Sequence, residues 1–273
     1  MSARPEPAAV LERQVVAPND VSAALLWLNR PDSLNAIDSA MVHGIEAALR
    51  EAEADDRVCV VLITGRGSAF SAGGDLKGYL ELQRDVNRFP AFVDDLLRAF
   101  GGISSMTKPV VALVNGPTVA GGLELMLACD FAYAAESAYI GDGHLKFGQM
   151  AGGGSLAHLP RTIGPSRARE LLFSARLLPA AEALDWGLVN RVVPDGELIE
   201  AGLEFARGVA ERSPLAVANM KHVMNHGFAD GTGLDAALRL ERERAVLYCL
   251  TQPDSMEGLK AFVDKREPKF PGR

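Results

Sequence analysis

Two short, almost entirely apolar runs do most to limit the fold that this chain can adopt. They span 58–64 and 110–114, and each is bounded by charged residues, proline or glycine. Strands that are covered on both faces have this pattern. The stretch 36–54, ahead of the first run, carries apolar residues at every third or fourth position, which predicts an amphipathic helix capped by Asp38 or Ser39. Buried strands that alternate with such helices predict an α/β core.

The rest of the chain extends this order of elements. Two strand patterns at 11–16 and 21–28 flank a Pro-Asn-Asp turn, which predicts a hairpin. After the first buried run come a partly helical stretch (76–100), the strand 110–114, a helix near 123–128 and a strand at 131–134. From about Ser166 the pattern is almost wholly helical, and the last long helix, 234–250, is apolar enough to predict subunit contact. We therefore divide the chain into a core, 1–195, and a helical region, 196–273.

Composition excludes several classes of protein. The 273 residues are 48% apolar, but no apolar run approaches the 18–20 residues of a membrane span. The net charge is −7 and no basic block occurs, so nucleic acid is not an expected partner. Three widely spaced cysteines, without a C-x-x-C pair, indicate neither a disulfide scaffold nor a zinc module. The N-terminus has no signal-peptide pattern, so a cytoplasmic location is expected.

Two glycine-rich turns, at 70–77 and 115–124, follow the buried strands and are the most informative segments for function. Neither matches a nucleotide-binding loop. Glycine at a strand-to-helix bend lets a backbone N–H approach a ligand closely, and a helix N-terminus adds a positive dipole. Two such N–H groups can form an oxyanion hole for a carbonyl that becomes anionic in the transition state. The same glycines also fit tight turns with no further role, and spacing alone favours that simpler explanation.

Six segments, in this order and spacing, resemble the crotonase, or enoyl-CoA hydratase/isomerase, superfamily. They are LNRPDSLNA (28–36), FSAGGDL (70–76), KPVVALVNG (108–116), AGGLEL (120–125), ALDWGLVN (183–190) and AFVDKR (261–266). The resemblance runs from about residue 15 to residue 270. It implies a spiral of ββα repeats, a helical C-terminal trimerisation region and self-association to a trimer or hexamer. It also implies acyl-CoA thioester substrates.

The resemblance assigns roles to residues of the two glycine-rich turns. The backbone N–H groups of Gly74 and Gly121 match the pair that holds the thioester oxygen. Glu124 matches the first catalytic glutamate of the hydratases. The apolar residues that follow it predict a partly desolvated carboxylate with a raised pKa, which suits a general base. A charge that merely complements the helix dipole is the alternative role for Glu124.

The position of the second hydratase glutamate is where this chain departs from the family. Counting back from the glycine run 152–154 and the segment 159–164 places His144 there, with Asp142 two residues earlier. A slip in the alignment would put Asp142 or Gln149 at that position instead. Histidine suits the role because it both accepts and donates protons near neutrality. The alternative is that His144 is only a polar loop residue.

The resemblance further implies contacts to the coenzyme A moiety. The matching residues are Arg30, Ala36, Ala72, Asp75, Leu76, Phe262 and Lys265. The last two lie near the C-terminus, where family members often contact the coenzyme of a neighbouring subunit. A solvated charge among other charged residues is the alternative for Lys265.

Hydration of a 2-enoyl-CoA is the leading hypothesis for function. In it Gly74 and Gly121 hold the thioester oxygen, Glu124 activates water and His144 delivers a proton to the α carbon. No metal or redox cofactor is expected. Another reaction on an acyl-CoA is the alternative, namely double-bond isomerisation, thioester hydrolysis or C–C bond hydrolysis, and a non-catalytic acyl-CoA binder is a third hypothesis.

Overall fold

The structure is a computed structural model that describes residues 7–227, 232–270 and 272. The strands are β1 (Ala9–Ala17), β2 (Val21–Leu28), β3 (Val58–Gly65), β4 (Val110–Val114), β5 (Thr118–Val119), β6 (Phe131–Ala135), β7 (Tyr139–Gly141), β8 (Leu178–Pro179) and β9 (Arg191–Val193). The helices are α1 (Ser39–Ala54), α2 (Leu76–Leu82), α3 (Arg88–Ser105), α4 (Gly121–Ala128), α5 (Ser155–Ile163), α6 (Pro165–Ser174), α7 (Ala180–Asp185), α8 (Leu198–Ala210), α9 (Pro214–Gly227), α10 (Leu234–Thr251) and α11 (Pro253–Asp264).

The main sheet of the described residues has six strands in the order β1-β2-β3-β4-β6-β9. β1 and β2 form the predicted antiparallel hairpin, and every later neighbour in this sheet pairs in parallel. Asn19 and Asp20 turn the hairpin with φ angles of 60° and 63°, a region that Asn and Asp tolerate better than most residues. All eight residues of β3 are buried, as a strand covered on both faces requires. The predicted α/β core is confirmed.

Helices cover both faces of the main sheet. α1 places its predicted apolar stripe in the larger core, and Asp38 caps the helix by accepting a hydrogen bond from the Met41 N–H at 2.8 Å. α8 covers the opposite face. Gly202 on α8 lies so close to the sheet that a Cβ there would lie 2.7 Å from Leu113. α8 is therefore integral to the core, and the boundary near residue 195 stays a prediction.

A second, three-stranded sheet in the described chain has the order β5-β7-β8. Its strands are two or three residues long, too short to produce a periodic pattern in the sequence. The prediction that the chain is almost wholly helical after Ser166 is wrong at β8 and at β9, for the same reason. Helix α5, which starts directly after the glycine run 152–154, also went unpredicted. These short elements bring the loops of the site together.

α9, α10 and α11 follow α8 in the helical C-terminal region. α10 carries large exposed apolar side chains, among them Leu234, Leu238 and Leu250. Lys221 on α9 anchors this region to the core, because its buried ammonium group donates to Asp130 Oδ2 at 2.8 Å and to the Lys108 carbonyl at 2.9 Å. No helix within the described residues is long and apolar enough to cross a membrane.

Candidate active site

A pocket of about 610 Å³ opens where the loops after β3 and β5 meet the segment between β7 and α5. It brings both glycine-rich turns to one place, together with the acid and base candidates. Glu124 and His144 line it with Gly74 and Ala120, and apolar side chains from α2 and α3 form the opposite wall. A concave, mostly apolar pocket with a few convergent polar groups is the usual form of a small-molecule site.

Hydrogen bonds fix the turn that contains Gly74 onto the segment before α1. The Ile37 N–H donates to the Gly73 carbonyl at 2.7 Å, and the Asp75 N–H donates to the Ile37 carbonyl at 3.0 Å. Ser71 Oγ donates to the Asn35 carbonyl at 2.8 Å. The Gly74 N–H lies between the two groups that pair with Ile37, and it meets no acceptor in the part of the chain that the structure describes.

The second turn is strained at Ala120. Its backbone angles, φ 50° and ψ −115°, are unusual for a residue with a side chain, and its N–H donates to the Gly141 carbonyl at 3.2 Å. Gly121 follows as the first residue of α4 and lies next to the other turn. A Cβ on Gly121 would lie 3.7 Å from the Gly74 nitrogen, so the two amides are neighbours. The Gly121 N–H likewise finds no acceptor among the described residues.

Glu124 lies on the first turn of α4 and is only 2% exposed. Its Oε1 accepts hydrogen bonds from the Gly153 N–H at 2.7 Å and the Ser155 N–H at 3.4 Å, whereas Oε2 accepts none from the described residues. Burial raises the pKa of Glu124, and the charge of His144 and the two backbone hydrogen bonds oppose that shift only in part. A carboxylate with one free oxygen and a raised pKa suits a general base.

His144 lies directly after β7 and points its ring into the pocket. Its Nδ1 is 2.9 Å from Asp142 Oδ1, and the other oxygen of that buried carboxylate accepts from Ser155 Oγ at 2.7 Å. Burial lowers the pKa of His144, but the hydrogen bond to Asp142 and the charges of Asp142 and Glu124 outweigh burial and raise it. The pKa of Asp142 is lowered, because its bonds to His144 and Ser155 outweigh burial. The imidazole is thus held by Nδ1, which leaves Nε2 for a ligand.

The three residues considered for the second glutamate position occupy different places. His144 lines the pocket, and Asp142 lies behind it without lining it. Gln149 also lines the pocket, but its Oε1 accepts a hydrogen bond from Gln83 Nε2 at 2.6 Å. Of the three, only His144 lines the pocket with a side chain that ordinarily titrates near neutral pH. It and Glu124 also shift each other's pKa.

The residues expected at the coenzyme separate into two groups. Ala36, Ala72, Asp75 and Leu76 line the pocket next to Gly74. Arg30 lies behind them and pairs with Asp38 and Asp75 at 3.0 and 3.2 Å, and it also donates to the Ala36 carbonyl. Phe262 and Lys265 are exposed at the end of α11 and do not line this pocket.

Sequence reasoning missed three residues of the site. Gly153 and Ser155 bind Glu124 and Asp142, and the glycine run that leads into a serine was the available signal. A Cβ on Gly153 would lie 2.6 Å from Glu124 Oε2, so the close approach requires glycine. Tyr79 lines the pocket from α2, and no motif pointed to it. Among the described residues no cluster of three or more His, Cys, Asp or Glu side chains is arranged to hold a metal ion.

Known proteins resemble this chain over almost its whole length. The family model for enoyl-CoA hydratase/isomerase matches residues 19–273. A probable mitochondrial enoyl-CoA hydratase of Dictyostelium discoideum is 37% identical, over 90% of this chain and 86% of that protein. A crotonyl-CoA hydratase of Syntrophomonas wolfei is 34% identical, over 94% and 97% of the two chains. The crystal structure of an enoyl-CoA hydratase from Bacillus anthracis superposes with a TM-score of 0.88 at 31% identity, over 96% of this chain and 99% of that one. The expected fold class is confirmed.

Proposed function

The chain belongs to the enoyl-CoA hydratase/isomerase family, and we propose that it is a lyase that adds water to the double bond of a 2-enoyl-CoA. One observation carries the proposal: the N–H groups of Gly74 and Gly121, which have no acceptor among the described residues, are neighbours, and Gly74 lines one pocket with Glu124 and His144. This set supplies the two functions that hydration needs, namely stabilisation of an enolate and transfer of two protons.

The first step of the proposed mechanism is polarisation of the thioester. Its oxygen accepts hydrogen bonds from the Gly74 and Gly121 N–H groups and becomes negative as the nucleophile adds. One such donor is worth about 2.7–4 kcal/mol of transition-state stabilisation in other enzymes. The hydrogen bond from the Ala120 N–H to the Gly141 carbonyl and the two bonds of Ile37 fix both turns before the substrate binds, which limits the reorganisation needed during the reaction.

Proton transfer completes the addition. Free Oε2 of Glu124 accepts a proton from water, whose oxygen attacks the β carbon. The α carbon then takes a proton from Nε2 of the imidazolium of His144, which Asp142 orients. Glu124 then releases to solvent the proton that it took from water, and His144 regains a proton from solvent. The net reaction is the addition of one water molecule.

The helical C-terminal region supports a proposal about assembly. Phe262 and Lys265 are exposed and do not line the pocket of their own chain, and α10 carries exposed leucines. We propose that the chain associates with copies of itself into a trimer or hexamer, which brings Phe262 and Lys265 to the coenzyme of a neighbouring subunit. Sedimentation of the purified protein would test this, and a monomer at micromolar concentration would contradict it.

Product analysis tests the proposed reaction. Purified protein is incubated with crotonyl-CoA and longer 2-enoyl-CoAs, and products are identified by mass spectrometry. We expect a gain of one water, loss of that activity in Glu124→Gln, and full activity in Glu81→Gln, a matched change at an exposed surface ion pair. An isomer, free coenzyme A or chain scission instead of water gain would refute hydration and indicate another reaction of the family. Binding without turnover would indicate an acyl-CoA binder.

A further inference from the structure

Tyr79 fills the space that a side chain at position 74 would occupy. An ideal Cβ on Gly74 would lie 2.7 Å from Tyr79 Cζ and 2.9 Å from its hydroxyl oxygen, closer than real Cβ contacts allow. The φ angle of Gly74 is not in the left-handed region, so its backbone conformation does not require glycine. Glycine is required here because the tyrosine ring lies against its Cα.

Tyr79 lines the pocket, and its hydroxyl has no hydrogen-bond partner among the described residues. Phe89 and Phe92 contact the ring edge to face, with centroids 6.3 and 5.4 Å away, and so fix its orientation. Burial and then the charges of Glu124 and Asp75 raise its pKa to about 12, and no hydrogen bond from the described residues contributes. The hydroxyl is therefore neutral at physiological pH and has a proton to donate.

The hydroxyl also lies within reach of the oxygen that Gly74 would bind. Adding standard bond lengths to the 2.9 Å separation puts the hydroxyl oxygen less than about 6 Å from the Gly74 nitrogen. A single oxygen atom at about 2.7–3.0 Å from each of the two groups can span that distance. Tyr79 is half-buried, and its hydroxyl lacks a partner among the described residues, so an oxygen of a bound ligand can accept its hydrogen bond in place of water.

We propose that the Tyr79 hydroxyl is a third donor to the thioester oxygen, beside the N–H groups of Gly74 and Gly121. This inference rests on the proposed function, because it assumes a thioester in the pocket. A donor aimed at an oxygen that becomes negative strengthens its bond as the charge develops, and so lowers the barrier more than it improves substrate binding. Tyr79 is then a catalytic residue for enolate formation.

Tyr79→Phe keeps the ring packing and removes only the hydroxyl. Acetoacetyl-CoA, bound as its enolate, and butyryl-CoA, a neutral thioester with the same chain length, serve as probes in calorimetric titrations. We expect the variant to bind acetoacetyl-CoA at least tenfold more weakly and butyryl-CoA less than twofold more weakly. Its kcat for crotonyl-CoA should be 10- to 100-fold lower at unchanged KM. Tyr133→Phe, a matched change on β6 outside the pocket, should change the affinity for neither probe.

Several results would overturn the inference. Equal losses of affinity for both probes, or no loss, would show that the hydroxyl does not bind the thioester oxygen. A loss of activity confined to substrates with longer acyl chains would show that Tyr79 determines chain length instead. Failure of wild type to bind acetoacetyl-CoA would overturn the inference and the proposed function together. Enolate binding that depends on Tyr79, without hydration of any enoyl-CoA, would refute hydration alone.

A double-mutant cycle tests the fit between positions 74 and 79. In wild type, Gly74→Ala must displace the Tyr79 ring, so we expect at least a tenfold loss of acetoacetyl-CoA affinity. In a Tyr79→Ala background the added methyl group has room, and the same change should cost less than threefold. Equal losses in the two backgrounds would show that the ring does not occupy this space, and would overturn the inference.

Discussion

Replacing Asp142 with asparagine tests whether the carboxylate behind His144 sets the proton affinity of the proposed catalytic imidazole. Asp142 is 2% exposed, and its two oxygens contact His144 Nδ1 at 2.9 Å and Ser155 Oγ at 2.7 Å. Asparagine has the same shape and can still bond both partners, because a serine hydroxyl donates or accepts as required. The change therefore removes a charge while keeping the packing.

The sign of the effect follows from the opposing influences on His144. Burial alone lowers the pKa of the imidazole, and Asp142 supplies most of what raises it. Without that charge the pKa of His144 must fall, and the ring loses its proton at a lower pH. In the proposed mechanism the ring acts as an acid, so activity on the alkaline side falls first. A hydrogen bond to a charged group is worth about 1.5–3 kcal/mol, which corresponds to about a 10- to 150-fold loss of kcat at pH 8.

Steady-state hydration of crotonyl-CoA between pH 5.5 and about pH 9 measures this effect, since a histidine with an ordinary pKa titrates within that window. In the proposed mechanism the rising limb of kcat reports Glu124 and the falling limb His144, and the falling limb should move to lower pH in Asp142→Asn. The rising limb should move in the same direction but less, because the charge of Asp142 is the smallest of the influences on the pKa of Glu124. Asp95→Asn is the matched control, because Asp95 pairs with His43 at 3.3 Å on the surface. An unchanged falling limb in Asp142→Asn would refute the reasoning, as would a uniform loss at every pH.

Three further changes follow from other contacts. Glu124→Gln should lower kcat by about 100- to 10,000-fold and raise Tm. The raised pKa of Glu124 means that its ionised form costs stability at neutral pH, so an unchanged or lower Tm would contradict this. Gly153→Ala should lower kcat at least tenfold by forcing a methyl group against the carboxylate, whereas Gly208→Ala, in open space on α8, should not; equal activities would refute the clash. Lys221→Ala should cost about 1.5–3 kcal/mol in urea unfolding, because it removes the charged partner of Asp130 and leaves that carboxylate with the hydrogen bond from the Val110 N–H; an unchanged midpoint would show that the anchor contributes nothing.

The main sheet apart from β9 could be predicted from sequence, because its other strands are at least five residues long and leave a pattern. β3 and β4 are continuous apolar runs, and the apolar stripe of α1 recurs over four turns. The small sheet could not, because two or three residues have no periodicity to detect. β5 and β7 exist because tertiary hydrogen bonds pair Val119 with Gly141, a contact between residues 22 positions apart that no local preference encodes.

The residues of the candidate site likewise divide into those that could be predicted from sequence and those that could not. Gly74, Gly121 and Glu124 lie in motifs whose spacing is visible in the sequence, and in the structure Gly74 and Glu124 line one pocket while Gly121 lies next to Gly74. The partners that tune them come from distant segments: Gly153 for Glu124 and Ser155 for Asp142. Their role depends on how α5 is placed against α4, which is a packing result. The position of the Tyr79 ring depends on the absence of a side chain at Gly74. The sequence alone does not show that these two residues are in contact.

In the proposed mechanism, histidine at position 144 preserves the charge state that a site with two glutamates would use. Two carboxylates that share one proton carry a net charge of −1, and one of them serves as base while the other serves as acid. Here ionised Glu124, ionised Asp142 and protonated His144 also sum to −1, and the proton lies on a nitrogen between two negative groups. The acid of the pair is then controlled by Asp142 rather than by burial. Without a buried carboxylate behind the ring, the charge of Glu124 alone would oppose the burial that lowers the pKa of His144, and the imidazole would hold its proton less firmly.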